Sequence, residues 1–208
     1  MKILVVGATG GTGKHLVGQA LDAGHDVTVF ARDPAKAGPE HRRLRTIVGD
    51  LQDGQALSNA IHGHDAVISA LGRGYSLKSE HLIERSVPVL IAAMKSAGVR
   101  RLIFTSALGV GDSYSDAPIV ARLFFRTLLR GIYADKLIGD RLIGSTDLEW
   151  TIVRPSKMTD GPLTGSYRSG ERLALSGMAS ISRADVAHFL LHAMADPKTV
   201  GKTLLISH

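Results

Sequence analysis

Short apolar runs alternate along the chain with longer segments in which apolar residues recur at helical spacing. Six of these runs have the length of a β-strand, and they are Ile3–Val6, Val27–Phe30, Thr46–Val48, Ala66–Ser69, Leu102–Thr105 and Thr151–Val153. Strands that alternate with helices are typical of βαβ units, in which consecutive strands pair in parallel. The pattern therefore predicts an α/β fold in three layers, with a doubly wound parallel sheet between two layers of helices.

Several helix boundaries are marked as well. Gly24 stands where the first helix would end in a left-handed C-cap. A further helix is expected over Ser79–Ala97, with a bend at Pro88 because proline lacks a backbone donor. Ser182, followed three residues later by Asp185, has the pattern of a capping box and predicts the start of another helix.

Length and composition indicate one domain. The chain has 208 residues, of which 44% are hydrophobic and 21% charged, and it has no internal repeat or low-complexity tract. We therefore expect a single domain over residues 1–208. Substrate-side elements are expected at about 109–145 and 156–180, because open α/β sheets place ligands beyond the carboxyl ends of their strands.

The composition also excludes several kinds of chemistry. No cysteine is present, so disulfides, thiolate metal sites and a thiol nucleophile are excluded, and redox chemistry requires a bound cofactor. The net charge of +6 favours anionic ligands, but no stacked-aromatic pattern indicates a nucleic-acid partner. No apolar run approaches the roughly 18 residues of a membrane helix, and the first is too short for a signal peptide. We expect a cytoplasmic protein without stable membrane insertion.

A glycine-rich turn follows the first predicted strand and opens the first helix. It has the spacing G-x-x-G-x-x-G and consists of Gly7, Ala8, Thr9, Gly10, Gly11, Thr12 and Gly13. Glycines in this context allow a tight turn and a close approach of the backbone to a pyrophosphate, while the amides of the helix start face the anion. The turn predicts dinucleotide binding by a Rossmann-like fold, with Thr9 and Thr12 as additional hydroxyl donors.

The end of the second predicted strand indicates which dinucleotide binds. NAD-binding proteins usually carry an acidic residue there, but this chain has Arg32, which suits a 2′-phosphate. NADPH is therefore expected to be preferred over NADH. A solvated Arg32 and a ribose contact from Asp33 remain the alternatives. Adenine and ribose contacts are expected from the residues that follow the third and fourth strands, which are Asp50, Leu51, Ala70, Leu71, Gly72 and Arg73.

Motifs along nearly the whole chain resemble the atypical short-chain dehydrogenase/reductases, and among them the biliverdin-IXβ reductase/flavin reductase group of NAD(P)H-binding proteins. The motifs are GATGGTG at 7–13, VFARD at 29–33, VGD at 48–50, TSALG at 105–109, WTIVRP at 150–155, DGPLTGSY at 160–167 and ISRADVAHFLL at 181–191. The resemblance implies that the glycine turn and Arg32 hold the cofactor phosphates and that Asp50 and Leu51 flank the adenine.

The same resemblance implies the nicotinamide side of the site. Leu71, Gly72 and Ser106 would approach the ribose and nicotinamide, and Pro155 and Ser156 would line the nicotinamide pocket. Two positions depart from that group, because Lys136 and Lys157 stand where it is expected to have histidines. A longer helix at 119–129 is more similar to the bacterial NmrA-like branch of the superfamily.

Two residues are candidates for catalysis. The usual Tyr-x-x-x-Lys pair is absent, since Tyr133 and Lys136 lie one residue too close, which rotates the pair by about 100° on a helix. Lys136 alone can bind ribose hydroxyls and favour an anionic substrate, and Ser106 can position a carbonyl or carboxamide. A solvated lysine and a turn-capping serine are the alternatives.

Two other patterns leave the function open. Arg122, Arg126 and Arg130 recur at four-residue spacing, which fits carboxylate, phosphate or membrane-surface contact as well as a solvated helix face. His188 and His192 lie one helical turn apart, but no third ligand accompanies them, so no metal site is expected.

The sequence thus favours an NADPH-dependent reductase that passes hydride to a flat conjugated acceptor, such as a flavin, a quinone or a biliverdin-like tetrapyrrole. Such a transfer depends mainly on stacking and orientation, because the cofactor carries the hard step. The alternative is an NmrA-like NADP(H) sensor without turnover. A nucleotide-sugar epimerase is disfavoured because those enzymes need the tyrosine acid. A monomer or weak homodimer acting on a small molecule is expected.

Overall fold

The computed structural model describes residues 1–33, 40–72, 80–116, 129–175 and 179–208. The strands within these ranges are β1 Lys2–Val6, β2 Asp26–Ala31, β3 Leu44–Val48, β4 Ala66–Ser69, β5 Arg101–Thr105, β6 Glu149–Pro155, β7 Lys157–Thr159, β8 Arg168–Gly170, β9 Ser180–Ser182 and β10 Lys202–Ser207. The α-helices are α1 Gly11–Asp22, α2 Gly54–Ile61, α3 Leu82–Ala97, α4 Arg130–Gly144 and α5 Arg183–Ala195, and short 3-10 helices span Gly111–Asp116 and Pro197–Thr199.

One large sheet organises the molecule. Its strand order is β3-β2-β1-β4-β5-β6-β10-β8, and every pairing in it is parallel except that of β8 with β10. All six predicted strands lie in this sheet, which confirms the Rossmann-like α/β prediction. The sequence did not predict β10, nor the separate parallel pair of β7 and β9.

The apolar character of the strands follows from helices on both faces of the sheet. Along β1, Ile3 and Val5 face a core shared with α1 and α5, whereas Leu4 and Val6 face a core shared with α2, α3 and α4. All four side chains are fully buried. Parallel strands covered on both sides therefore appear as continuous apolar runs rather than alternating ones.

The predicted left-handed turn at Gly24 and the predicted helix start at Ser182 are confirmed, whereas the helix expected from Ser79 starts later. Gly24 has φ +80° directly after the end of α1, and Ser182 caps α5 by accepting a hydrogen bond from the Asp185 amide. The helix that contains Pro88 begins at Leu82 and continues to Ala97. The predicted basic helix lies mostly outside the described residues, as do Arg122 and Arg126.

Asp185 ties the loop after β7 to the start of α5. Its fully buried carboxylate accepts hydrogen bonds from the Ser182 hydroxyl at 2.7 Å, the Gly165 amide at 2.8 Å, the Thr164 amide at 2.9 Å and His208 Nε2 at 2.9 Å. Burial by itself raises the pKa of Asp185, but these hydrogen bonds together lower it below its ordinary value. The carboxylate therefore stabilises the fold in its ionised form.

Replacing Asp185 by Asn is expected to lower the free energy of unfolding by about 1 to 3 kcal/mol at neutral pH, because the amide presents donors to other donors. The folded-state pKa lies below the unfolded value of about 3.9, so this contribution is present above about pH 4 and is lost as the pH falls through the folded pKa. Thermal unfolding across this pH range measures it, with Asp22→Asn at the exposed end of α1 as control. If the difference in unfolding free energy between wild type and Asp185→Asn is as large in acid as at neutral pH, this role of Asp185 is wrong.

Candidate functional site

A cavity of about 460 Å³ opens at the carboxyl edge of the sheet. Its walls come from the segments that follow β1, β2, β3 and β4, together with the start of α3. The predicted cofactor residues that line it are Gly7, Thr9, Gly10, Arg32, Asp50, Leu51, Ala70, Leu71 and Gly72. The strand order reverses between β1 and β4, which is the place where doubly wound sheets bind their ligands.

The glycine turn is shaped by close backbone contacts. Gly7 has φ +78°, and a Cβ on it would lie 2.6 Å from the carbonyl carbon of Ala70. A Cβ on Gly13 would lie 2.2 Å from the carbonyl oxygen of Gly7. These two glycines therefore let α1 and the loop after β4 close on the turn, and no other residue fits either position without a shift of backbone.

The start of α1 offers amides to an anion. Gly10 is the N-cap and supplies no side-chain cap, so the first-turn amides of Gly11, Thr12 and Gly13 have no intrahelical acceptor. The positive end of the helix dipole adds to their attraction for negative charge. A cradle of glycine backbone that opens into a cavity of this size fits the pyrophosphate and adenosine of a dinucleotide.

Polar groups stand where β2 and β3 end, on the side of the cavity for which adenosine contacts are predicted. The exposed Arg32 follows β2 and lines the wall. Asp50, after β3, accepts a hydrogen bond from the Gln52 amide at 2.9 Å, which fixes the loop beside Leu51. Arg73 falls outside the described residues, so its predicted contact stays a prediction.

A second polar group lies farther along the same edge, where β5 and β6 end. Ser106 is buried, and its hydroxyl donates to Asp140 Oδ2 at 3.0 Å. Arg154 donates to the same oxygen from Nε at 3.1 Å and from Nη2 at 3.0 Å. The other oxygen, Oδ1, is buried and accepts no hydrogen bond from the residues that the structure describes. Lys136 Nζ lies 3.4 Å from the carbonyl oxygen of Ser106.

The electrostatics of this group favour proton exchange at Lys136. Burial lowers the pKa of its ammonium, while the charges of Asp140 and Asp135 oppose the shift. Burial raises the pKa of Asp140 against the influence of Arg154, Ser106 and Lys136. Lys136 is thus not a solvated surface lysine. It gives up its proton more readily than a solvated lysine does.

The position of α4 is set by a contact between helices. Asp135 accepts hydrogen bonds from the amides of Ile83 at 3.1 Å and Glu84 at 2.8 Å, and so caps the start of α3 from outside. With α4 held in this way, Lys136 and Asp140, four residues apart, lie on one helix face toward β5. Asp140 and Arg154 were not predicted from the sequence as site residues. Their signals were the four-residue spacing from Lys136 and a charged residue inside the apolar strand β6.

Tyr133 does not take the place of the missing acid. The position four residues before Lys136 is Ile132, and Tyr133 is partly buried. Burial raises the pKa of the Tyr133 phenol, whereas a catalytic tyrosine needs a lowered one. This agrees with the spacing argument against Tyr133.

Pro155 and Ser156 continue the same edge but do not line the cavity. The Pro155 carbonyl accepts a hydrogen bond from the Leu108 amide at 2.9 Å, and the Ser156 hydroxyl donates to Ser207 Oγ at 3.0 Å. These bonds join β6 to the loop after β5 and to β10. The predicted nicotinamide contacts of both residues stay predictions.

Histidines do not form a metal cluster within the described ranges. The rings of His188 and His192 are 4.9 Å apart, and the Tyr167 hydroxyl pairs with His188 Nδ1 at 2.7 Å. No group of three or more His, Asp or Glu side chains there could hold an ion. None of the helices in the same ranges is long and apolar enough to cross a bilayer.

The profile of the NAD(P)H-binding family matches residues 7–197. The chain belongs to this family. An uncharacterized chloroplastic protein of Arabidopsis thaliana is 29% identical, over 99% of this chain and 76% of that protein. Photosystem II assembly factor Ycf39 of Synechocystis is 28% identical, over 98% of this chain and 61% of its own length. Bifunctional pinoresinol-lariciresinol reductase of Linum corymbulosum is 27% identical, over 99% of this chain and 68% of that protein.

Solved structures share the fold. A short-chain dehydrogenase/reductase of Veillonella parvula in complex with NADP has a TM-score of 0.81 and 19% identity, covering 100% of this chain and 94% of that one. ChuY of Escherichia coli O157:H7, an anaerobilin reductase, has a TM-score of 0.80 and 22% identity, covering 99% of this chain and 96% of that one. The family match confirms the resemblance to NAD(P)H-binding proteins.

Gly13→Ala tests the close packing of the turn. The added methyl group meets the Gly7 carbonyl, so we expect a loss of about 1 to 3 kcal/mol in unfolding free energy together with weaker NADPH binding. Gly18→Ala on the same helix is the matched control, because nothing lies within 4 Å of its Cβ position. It should stabilise the fold by roughly 0.5 to 1 kcal/mol and leave binding unchanged. Thermal unfolding and NADPH titration measure both, and equal behaviour of the two variants would contradict the packing argument.

Proposed function

We propose that this protein is an NADPH-dependent reductase that delivers hydride to a flat conjugated small molecule, such as a flavin, a quinone or a tetrapyrrole. The observation that carries the proposal is the polar group of Ser106, Lys136, Asp140 and Arg154, which lies at the same carboxyl edge of the sheet as the cavity of the glycine turn. The names of two similar proteins, one a pinoresinol-lariciresinol reductase and the other an anaerobilin reductase, support the reaction class.

When bound, NADPH supplies the hydride. Lys136 then serves the acceptor, because an ammonium with a lowered pKa can neutralise the negative charge that hydride addition creates and can donate a proton to it. Solvent restores the proton to Lys136 afterwards. The cationic Arg154 stays bound to Asp140 and Asp112 and so keeps the carboxylates from cancelling the charge of Lys136.

Ser106 acts as a positioning group. Because its hydroxyl proton is donated to Asp140, its remaining lone pairs can accept a hydrogen bond from a carboxamide or a hydroxyl above β5. Of the two groups that the sequence suggested for Ser106, a carbonyl or a carboxamide, an acceptor suits the N–H of the carboxamide. Asp140 and Arg154 hold the serine in that orientation.

The same proposal includes NADPH as the preferred dinucleotide and a cytoplasmic location. Arg32 lines the cavity after β2, and an acidic residue at its position would instead have favoured the free ribose hydroxyls of NADH. The guanidinium presents a planar set of donors that matches a 2′-phosphate.

Arg32→Ala should weaken NADPH binding by about 1.5 to 3 kcal/mol, because a charge-assisted contact is lost. NADH has no 2′-phosphate, so its dissociation constant should change little. Fluorescence titration with both nucleotides measures the difference, and Arg45→Ala on the exposed face of β3 controls for the loss of one positive charge. If Arg32→Ala weakens the binding of NADPH and NADH equally, Arg32 does not contact the 2′-phosphate.

A second function is favoured by one specific feature. The site has Ile132 where a proton-donating tyrosine would stand four residues before Lys136, and one similar protein is named as an assembly factor rather than an enzyme. The alternative is therefore an NADP(H) sensor, in which the dinucleotide changes affinity for a protein partner without turnover.

NADPH oxidation at 340 nm against flavins, quinones and biliverdin distinguishes the two functions. In the reductase, Lys136→Met should lower turnover by about 10²-fold or more, the usual contribution of an acid, while NADPH still binds. Ser106→Ala should also lower turnover. Lys198→Met, at an exposed position, is the control. NADPH binding without oxidation by any acceptor would favour the sensor.

A further inference from the structure

Arg183 reaches from the start of α5 to the glycine turn. A Cβ built on Gly11 would lie 2.7 Å from Arg183 Cδ and 3.0 Å from Nε, so the side chain crosses directly over Gly11. A side chain at position 11 would displace Arg183 from this place. The helices α1 and α5 pack on the same face of the sheet, and Gln19 Nε2 donates to the Ala184 carbonyl at 2.9 Å, which fixes their relative position.

The electrostatic setting of Arg183 is unusual for a cation. Both α1 and α5 follow the carboxyl edge of the sheet, so the positive ends of two helix dipoles meet at this side chain. Only 14% of the side chain is exposed. A positive charge at a helix N-terminus is unfavourable, whereas a negative one is favourable. An anion between the two helix starts would interact favourably with the positive ends of both dipoles.

Asp160 pairs with Arg183 from an exposed position. Its Oδ1 lies 2.6 Å from Arg183 Nη1, but 71% of its side chain is exposed. Water screens the exposed carboxylate and so weakens its attraction for the guanidinium. The five N–H donors of a guanidinium can serve a carboxylate and a phosphate at the same time.

We propose that Arg183 binds the pyrophosphate of the dinucleotide together with the first-turn amides of α1. The inference rests on dinucleotide binding, as the proposed function does, but it does not require turnover. In this proposal Arg32 and Arg183 bind different phosphate groups of the dinucleotide. Arg32 serves the 2′-phosphate, which only NADPH carries, whereas Arg183 serves the pyrophosphate, which NADPH and NADH share.

Arg183→Met keeps the hydrocarbon stem over Gly11 and removes the guanidinium. The dissociation constants of NADPH and NADH should both rise, by a similar factor of roughly 10 to 100. Those of ADP-ribose, which carries the pyrophosphate, should rise in the same way. Binding of 2′-AMP, which lacks a pyrophosphate, should stay within twofold of wild type. Arg183→Lys should recover part of the loss, since it restores the charge.

A second variant separates ligand binding from a purely structural ion pair. Asp160→Asn breaks the pair but leaves Arg183 beside Gly11, so NADPH and NADH should bind as tightly as in wild type or more tightly. Thermal unfolding without nucleotide checks that both variants fold. If Arg183→Met leaves the dinucleotide constants within twofold, or if Asp160→Asn weakens them as much as Arg183→Met does, the inference is wrong. Wild-type protein that binds neither NADPH nor NADH would instead overturn the proposed function.

Discussion

The close approach of α1 to the loops that follow β1 and β4 is the constraint on which the cofactor site depends. The missing side chains of Gly7 and Gly13 leave room for backbone alone, with the Ala70 carbonyl group packed against the turn. Because the backbone is so near, α1 begins directly behind the part of the turn, Gly7 to Gly10, that lines the cavity. The suitability of the turn for an anion is therefore a product of packing, to which the dipole of α1 adds.

A buried carboxylate holds together the polar group where β5 and β6 end. Asp140 receives the Ser106 hydroxyl and two donors of Arg154 on a single oxygen, so three elements meet at one atom. Removing two opposite charges from water is costly unless each finds several partners. Arg154 meets this condition because it binds both Asp140 and Asp112. Its bond to Asp112 also fixes the loop after β5.

Cations surround the proposed path of the dinucleotide, but their environments differ. Arg32 is exposed to solvent, Arg183 is nearly buried between helix starts, and Lys136 is partly buried beside carbonyl oxygens. Only a lysine changes its protonation under such conditions, because a guanidinium keeps its charge. The two arginines are thus suited to holding phosphates, and the lysine is suited to exchanging a proton with an acceptor.

The amino-acid sequence by itself determined the six core strands, the glycine turn and the cap at Ser182, because each depends on periodicity or turn chemistry within a few neighbouring residues. It also placed Arg32 at the end of β2, since a strand and the residue after it are contiguous. Tertiary structure alone decided that Asp140 meets Ser106 and Arg154, that Arg183 crosses Gly11, and that β10 joins the sheet. These contacts join residues far apart in the chain, and a local pattern does not reveal which charged side chains become buried together.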